Sequence, residues 1–268
     1  RGRFHSSISK AGLCLISPSV SEPRRPADRP RARNEERGLR PARVLPRMEG
    51  FGTVKEVLSG DTVVVMGTAK GGPPPELKLT LSSLKAPRVG FKKERPDDPW
   101  AFESREFLRR LVIGKRVKFK VEYSVESIKR KFGSISLNGK NVCVDVAEAG
   151  WAEVKEPRDN RPAEVSVDIE DMRIGAAAAK QAGKGIYNKD QSGAQREVAW
   201  NGPEGVSSTE FVAACQGQPQ KAIVEYVADG SRFRVLLVER QPQVVVMFSL
   251  AGVQCPKTRP PAKRDRRA

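Results

Sequence analysis

The chain has 268 residues, enough for one large domain or one domain and part of another. It is 38% hydrophobic and 30% charged with a formal net charge of +17, a balance that supports a core over part of its length and favours a polyanionic partner. One His and four scattered Cys (Cys14, Cys143, Cys215, Cys255), with no CxxC pair, exclude the common zinc sites and a His-activated nucleophile. No apolar run approaches the ~20 residues of a membrane span, and no membrane association is expected.

The charge is uneven. Residues 1–47 hold 12 Lys/Arg against 4 Asp/Glu, and residues 257–268 hold 6 against 1, so the middle is only mildly basic. The first segment, rich in Arg and Pro without apolar periodicity, reads as disordered. Its acid-free, Ser-rich start resembles a transit peptide, yet the first Met is Met48, directly before the first strand pattern. Translated upstream sequence, a basic arm and a targeting segment all remain open for 1–47. Residues 257–268 read as a basic disordered tail.

From Met48 the pattern becomes ordered. "FGTVKEVL" and "TVVVMG" flank Ser59-Gly60-Asp61 as two strands flank a hairpin corner. "LKLTLSSL" (77–84) predicts a third strand with Leu77, Leu79 and Leu81 on one face. A basic loop, "KAPRVGFKKERPDDP", leads to a helix over "WAFESREFLRRLVIG". Asp97 or Asp98 would cap it, Phe107, Leu108, Leu111 and Val112 would face the core, and Arg105, Arg109 and Arg110 the solvent. Two strands (115–123 and 131–139), a short helix and a longer helix ending near Gly183 or Gly185 follow. The order predicts an α+β, mainly β fold: a five-stranded Greek-key barrel of the OB type with packing helices, over 50–190.

After a linker at 191–219, "KAIVEYVADGSRFRVLLVE" echoes the first hairpin and "VVVMFSLAGVQCP" echoes "LKLTLSSLKAP". This is a repeat of about 170 residues of which only three strands are expected, in 220–256, too few to bury a barrel core. Trp100 and Trp151 read as packing anchors.

The segments "SGDTVVV", "GGPPPE", "LSSLKAP", "DDPWAFESREFLRRLVIGK" and "GKGIYN" resemble the staphylococcal-nuclease-like domains of the Tudor staphylococcal nuclease family, over about 50–256. The resemblance implies RNA binding, single- or double-stranded, ribonucleoprotein and transcription partners, RNA-silencing complexes and splicing, a nuclease fold, and location in the cytoplasm and also the nucleus. It implies a catalytic pattern of two Ca²⁺-holding aspartates, a general-base Glu and two phosphate-binding arginines, as hard cations and a charging phosphoryl group require. Only the first position is kept here, as Asp61. Lys85 stands at the second aspartate, Arg88 at the Glu, and Thr80 and Ser134 at the arginines. In the repeat, Ser231, Ser249, Gln254 and Lys257 replace four of these positions. No cofactor is expected, Ca²⁺ entering only with a working nuclease.

Two basic clusters are candidates for nucleic acid. One is the loop with Lys85, Arg88, Phe91, Lys92, Lys93 and Arg95; the other is Lys129, Arg130 and Lys131. Asp61 is the sole weak metal candidate. The leading reading is a nucleic-acid-binding scaffold on a degenerate nuclease site. The alternatives are a Ca²⁺-dependent endonuclease and a protein-binding adaptor.

Overall fold

The short apolar strands, each too small to bury a core alone, pack by closing on themselves. The computed structural model describes residues 48–90, 95–156, 166–215 and 217–256. The expectations for 1–47 and 257–268 lie outside these residues, as do Phe91, Lys92 and Lys93. β1 (Glu49–Ser59), β2 (Thr62–Met66) and β3 (Glu76–Leu81) form an antiparallel meander, followed by β4 (Leu84–Lys85) and α1 (Ala101–Val112). β5 (Arg116–Val125) pairs with β1, and β6 (Arg130–Leu137) pairs with β5. β6 also runs parallel to β3, which closes the five-stranded mixed barrel. β7 (Lys140–Asn141), α2 (Val142–Glu148), β8 (Glu153–Val154) and α3 (Ile169–Gln181) complete this part, β8 pairing with β4.

Val54, Val63, Val65, Leu79, Leu81, Val117 and Ile135 fill the barrel. Leu108 and Val112 of α1 and Val142, Val146 and Met172 of α2 and α3 belong to the same core. Phe107 and Leu111 are only partly buried against it. Trp100 and Trp151 meet edge to face with ring centroids 6.4 Å apart, as packing anchors do. Asp97 and Asp98 do not cap α1. Its N-cap is Trp100, held at φ 61°, with its N–H donated 2.6 Å to the Ala194 carbonyl. The two aspartates bond back to the basic loop instead.

The stretch 191–219, expected as a linker, holds β9 (Val198–Trp200) and α4 (Ser208–Cys215). β10 (Ala222–Asp229), β11 (Arg232–Leu237) and β12 (Gln243–Ser249) follow, and β9 joins them parallel to β12 in an open four-stranded sheet. The β10–β11 register repeats that of β1–β2 at an offset of 170 residues. Val224↔Val235 mirrors Val54↔Val65, and the irregularities at Val224/Tyr226 and Val227/Asp229 mirror those at Val54/Glu56 and Val57/Ser59.

This sheet meets the barrel through charge. Arg105 forks onto Glu225 at 2.7 and 2.6 Å and also touches Glu106 at 3.4 Å. Arg196 binds Asp97 at 2.5 Å with its guanidinium 4.2 Å from the centre of the Phe102 ring. Arg105 is 3% exposed, so the expectation that it lies on the solvent face of α1 is corrected. The buried positions Ala101, Arg105, Leu108 and Val112 are spaced four, three and four residues apart, one continuous helical stripe that includes the arginine. Among the described residues no helix is long and apolar enough to cross a membrane.

Candidate nucleic-acid interface

The corner between β1 and β2 is built from its two middle residues. A Cβ on Gly60 would fall 1.9 Å from the Ser104 hydroxyl, so the chain can pass this close to α1 only without a side chain. Asp61 follows, and its carboxylate is committed. Oδ1 accepts from the hydroxyls of Ser59 at 2.7 Å and Thr62 at 2.9 Å, and Oδ2 accepts from the Ala86 N–H at 3.2 Å. Its carbonyl accepts from the Leu81 N–H at 2.7 Å. Asp61 thus fastens the corner to the end of β3 and the loop beyond. Among the described residues there is no cluster of three or more His, Cys, Asp or Glu able to hold a metal ion.

Behind the corner the barrel presents hydroxyls. Thr62 and Thr80 lie 3.4 Å apart, oxygen to oxygen, and both are buried. Ser134 is buried too, and the Ser82 hydroxyl donates to Glu122. Burial pushes the Glu122 carboxyl above its usual range, against the lowering effects of Ser82, Lys120 and Ser134. A carboxyl whose folded pKa is raised stabilises most below its unfolded value and loses that contribution as pH rises through the folded one. Glu122→Gln should therefore raise the thermal midpoint clearly at about pH 8 and little at about pH 4, where the carboxyl is largely protonated in either state. Paired thermal melts of the two proteins check this.

The first basic cluster is tied down. Lys85 pairs with Glu153 at 3.1 Å across β4 and β8. Arg88 is clamped by Asp98, whose carboxylate takes its Nε at 3.3 Å and its backbone N–H at 3.0 Å. The Gly90 N–H donates to Asp97 at 2.6 Å. Burial at Asp98 is outweighed by the Arg88 N–H and guanidinium, which lower its carboxyl pKa. Both cations stay largely exposed, at 65% for Lys85 and 89% for the Arg88 side chain, and Arg95 is exposed. They remain available to a phosphate.

Lys129, Arg130 and Lys131 sit at the turn between β5 and β6, with Lys129 at φ 49°. Lys129 and Arg130 are exposed, and Lys131 lies 3.8 Å from the Met48 sulfur. Because β6 runs parallel to β3, Lys131 stands beside Leu79 and Gly133 beside Leu81. Lys129 and Arg130 therefore precede the paired stretch, while Lys85 and Arg88 follow β3's other end.

Phe132 directly follows the second cluster in the sequence, but its stacking partner lies nine residues upstream and leaves no sequence signal. Tyr123 and Phe132 stack with centroids 4.8 Å apart and planes 11° from parallel. The register irregularity between Val121 and Tyr123 brings them opposite each other. A bulge of this kind leaves no reliable mark in a strand pattern.

A mixed five-stranded barrel with an α-helix after its third strand, and a carboxylate at the first corner, defines a nuclease-like fold. The chain carries a domain of the staphylococcal nuclease homologue family, matched over residues 78–189. It is similar to Ribonuclease TUDOR 1 of Arabidopsis thaliana, at 41% identity over 214 residues, 76% of this chain and 21% of that protein. It is also similar to Staphylococcal nuclease domain-containing protein 1 of Drosophila melanogaster, at 35% identity over 76% of this chain and 22% of that protein. The counterpart of that name in Schizosaccharomyces pombe is 27% identical over the same share of the chain. The chain spans about a fifth of the length of these relatives.

Proposed function

We propose that this chain is a nucleic-acid-binding scaffold module on a nuclease fold whose hydrolytic site has degenerated. The observation that supports it most is the state of Asp61. Both carboxylate oxygens serve hydrogen bonds within the corner, and the positions where the family places its second aspartate and its Glu hold the exposed cations Lys85 and Arg88. A divalent cation needs several oxygen ligands and is repelled by such neighbours, whereas a phosphate is attracted by them. RNA, ribonucleoprotein and transcription partners are the partners proposed, in the cytoplasm and nucleus. Residues 220–256 are proposed as the start of a second domain of the same kind, on the strength of the 170-residue register match.

The test is fluorescence anisotropy of labelled single- and double-stranded RNA with the full chain at two salt concentrations, beside cleavage assays with Ca²⁺ and with chelator. The expected result is salt-sensitive binding without cleavage. Lys129→Glu with Arg130→Glu should weaken all sequences alike and lower the salt slope by about 1 for each phosphate no longer neutralised. Calcium-dependent cleavage abolished by Asp61→Ala would overturn the reading. Neither binding nor cleavage by a folded sample would point to a protein-binding adaptor, for which Val224, Met247 and Phe248 offer exposed apolar surface.

Asp61→Ala also reports on structure. With the Ala86 N–H and two hydroxyls losing their acceptor, the variant should unfold with about 1–3 kcal/mol less free energy, measured by urea titration. Asp61→Asn, which keeps an acceptor oxygen, should lose less.

A further inference from the structure

The start of β1 inverts the usual arrangement of a barrel strand. Its inward positions are glycines, Gly50 and Gly52, while the large apolar residue between them, Phe51, faces out and is 61% exposed. The glycines are required by what stands behind them. A Cβ on Gly50 would lie 3.2 Å from the Phe119 ring, and one on Gly52 would lie 2.5 Å from a Val65 methyl. Packing thus accounts for the glycines but leaves Phe51 without a covering partner. β2 ends at Met66, opposite Thr53, so no β2 residue stands beside Phe51.

Cations surround the ring. Lys118 is its direct cross-strand partner on β5, and Arg116 holds its guanidinium 5.4 Å from the ring centre. Lys120 comes next in the same alternation. Glu49, the cross-strand partner of Lys120, reaches Lys118 at 3.9 Å with both of those side chains more than half exposed, and Glu122 faces Lys120 electrostatically. Among the described residues Arg116 has no ion-pair partner. An uncovered aromatic ring in a row of cations matches a strand that offers an unpaired base and its phosphates: the base stacks on the ring, and Arg116, Lys118 and Lys120 meet the backbone. A double helix keeps its bases stacked inside and cannot use the ring.

We propose that Phe51, with Arg116 and Lys118, forms a stacking platform for single-stranded nucleic acid on the β1–β5 face, at the opposite end of β1 from the Asp61 corner. The proposal rests on the nucleic-acid-binding reading above. Its test is anisotropy titration of the full chain with labelled oligouridine, with oligodeoxythymidine of equal length, and with an abasic strand carrying the same phosphates. Phe51→Ala should weaken binding of a base-bearing strand by about 5- to 100-fold. It should leave the abasic strand unaffected, and the thermal midpoint should not move because the ring is exposed. Phe51→Trp should restore affinity. Arg116→Glu with Lys118→Glu should weaken all three strands and flatten the salt dependence. A response with either sugar supports the platform and names the strand it prefers. Salt-sensitive binding by the parent chain that Phe51→Ala leaves unchanged, or weakens equally on the abasic strand, overturns the platform alone. No salt-sensitive binding by the parent chain overturns both this proposal and the function on which it rests.

Discussion

Arg105→Ala should reduce the unfolding free energy by about 3–5 kcal/mol, the range for removing one partner of a buried ion pair. Arg105 sits at the centre of a four-residue network. Glu106 accepts from Arg109 at 2.6–2.9 Å and from Arg105 at 3.4 Å, and Glu225 accepts both terminal nitrogens of Arg105. Without the guanidinium, Glu225 is stranded against α1 and Glu106 keeps only Arg109. Arg105–Glu225 and Arg196–Asp97 tie the sheet to the barrel, so the loss should appear as separation of the two parts. Urea titration followed by tryptophan fluorescence measures the free energy, and proteolysis within 191–219 reports the separation. A double-mutant cycle isolates the cause. Arg105→Met with Glu225→Leu should cost less than the sum of the single changes, because neither then leaves an uncompensated charge. Additive effects would mean that Arg105 stabilises by packing alone.

Gly133→Ala is the second large effect, and it arises from backbone. A Cβ at Gly133 would fall 2.0 Å from the Lys120 carbonyl oxygen and 3.0 Å from the Val121 Cα. Neither atom can swing aside as a flexible side chain would. Gly133 also lies opposite Val121 at the edge of the β5 bulge, and beside Leu81, where β3 closes the barrel. Relief of the clash must part β5 from β6 or open the β3–β6 seam. A loss of about 3 kcal/mol or more is expected, at the upper end for overpacking. Gly139→Ala is the control: φ there is +85° but nothing lies within 4 Å of the added atom, so about 1–2 kcal/mol of backbone strain is expected. Thermal and urea unfolding of the two variants, compared with the parent, distinguish closure from strain. Equal losses would refute the view that Gly133 is demanded by barrel closure.

Much of the barrel was legible in the sequence because its signals are local. Alternation around Ser59-Gly60-Asp61 marked the first hairpin, and the helix and strand periods placed α1, β5 and β6 to within a few residues. That Lys85, Arg88, Thr80 and Ser134 stand where the family carries catalytic residues is what the resemblance implies, and it enters only the proposed function. Where the helix face was misread, the pattern still held the answer. Ala101, Arg105, Leu108 and Val112 share one stripe, but a charged residue in it reads as solvent-facing until a partner is known. The partner, Glu225, is 120 residues away. The same holds for Asp97 and Asp98, which satisfy the local rule for a helix cap yet bond to Gly90 and Arg88 because the basic loop folds back over them.

The sequence by itself therefore determined the class of fold and the excess of positive charge. Both depend on residue identity and short-range period. The tertiary structure decided which charges are free. It buried Arg105, bound Asp61 into a corner, set Lys85 and Arg88 after the end of β3 and Lys129 before the start of β6, and left Phe51 uncovered beside Arg116 and Lys118. Those outcomes depend on which distant segments meet, and a one-dimensional pattern does not encode the distance between residues it places far apart.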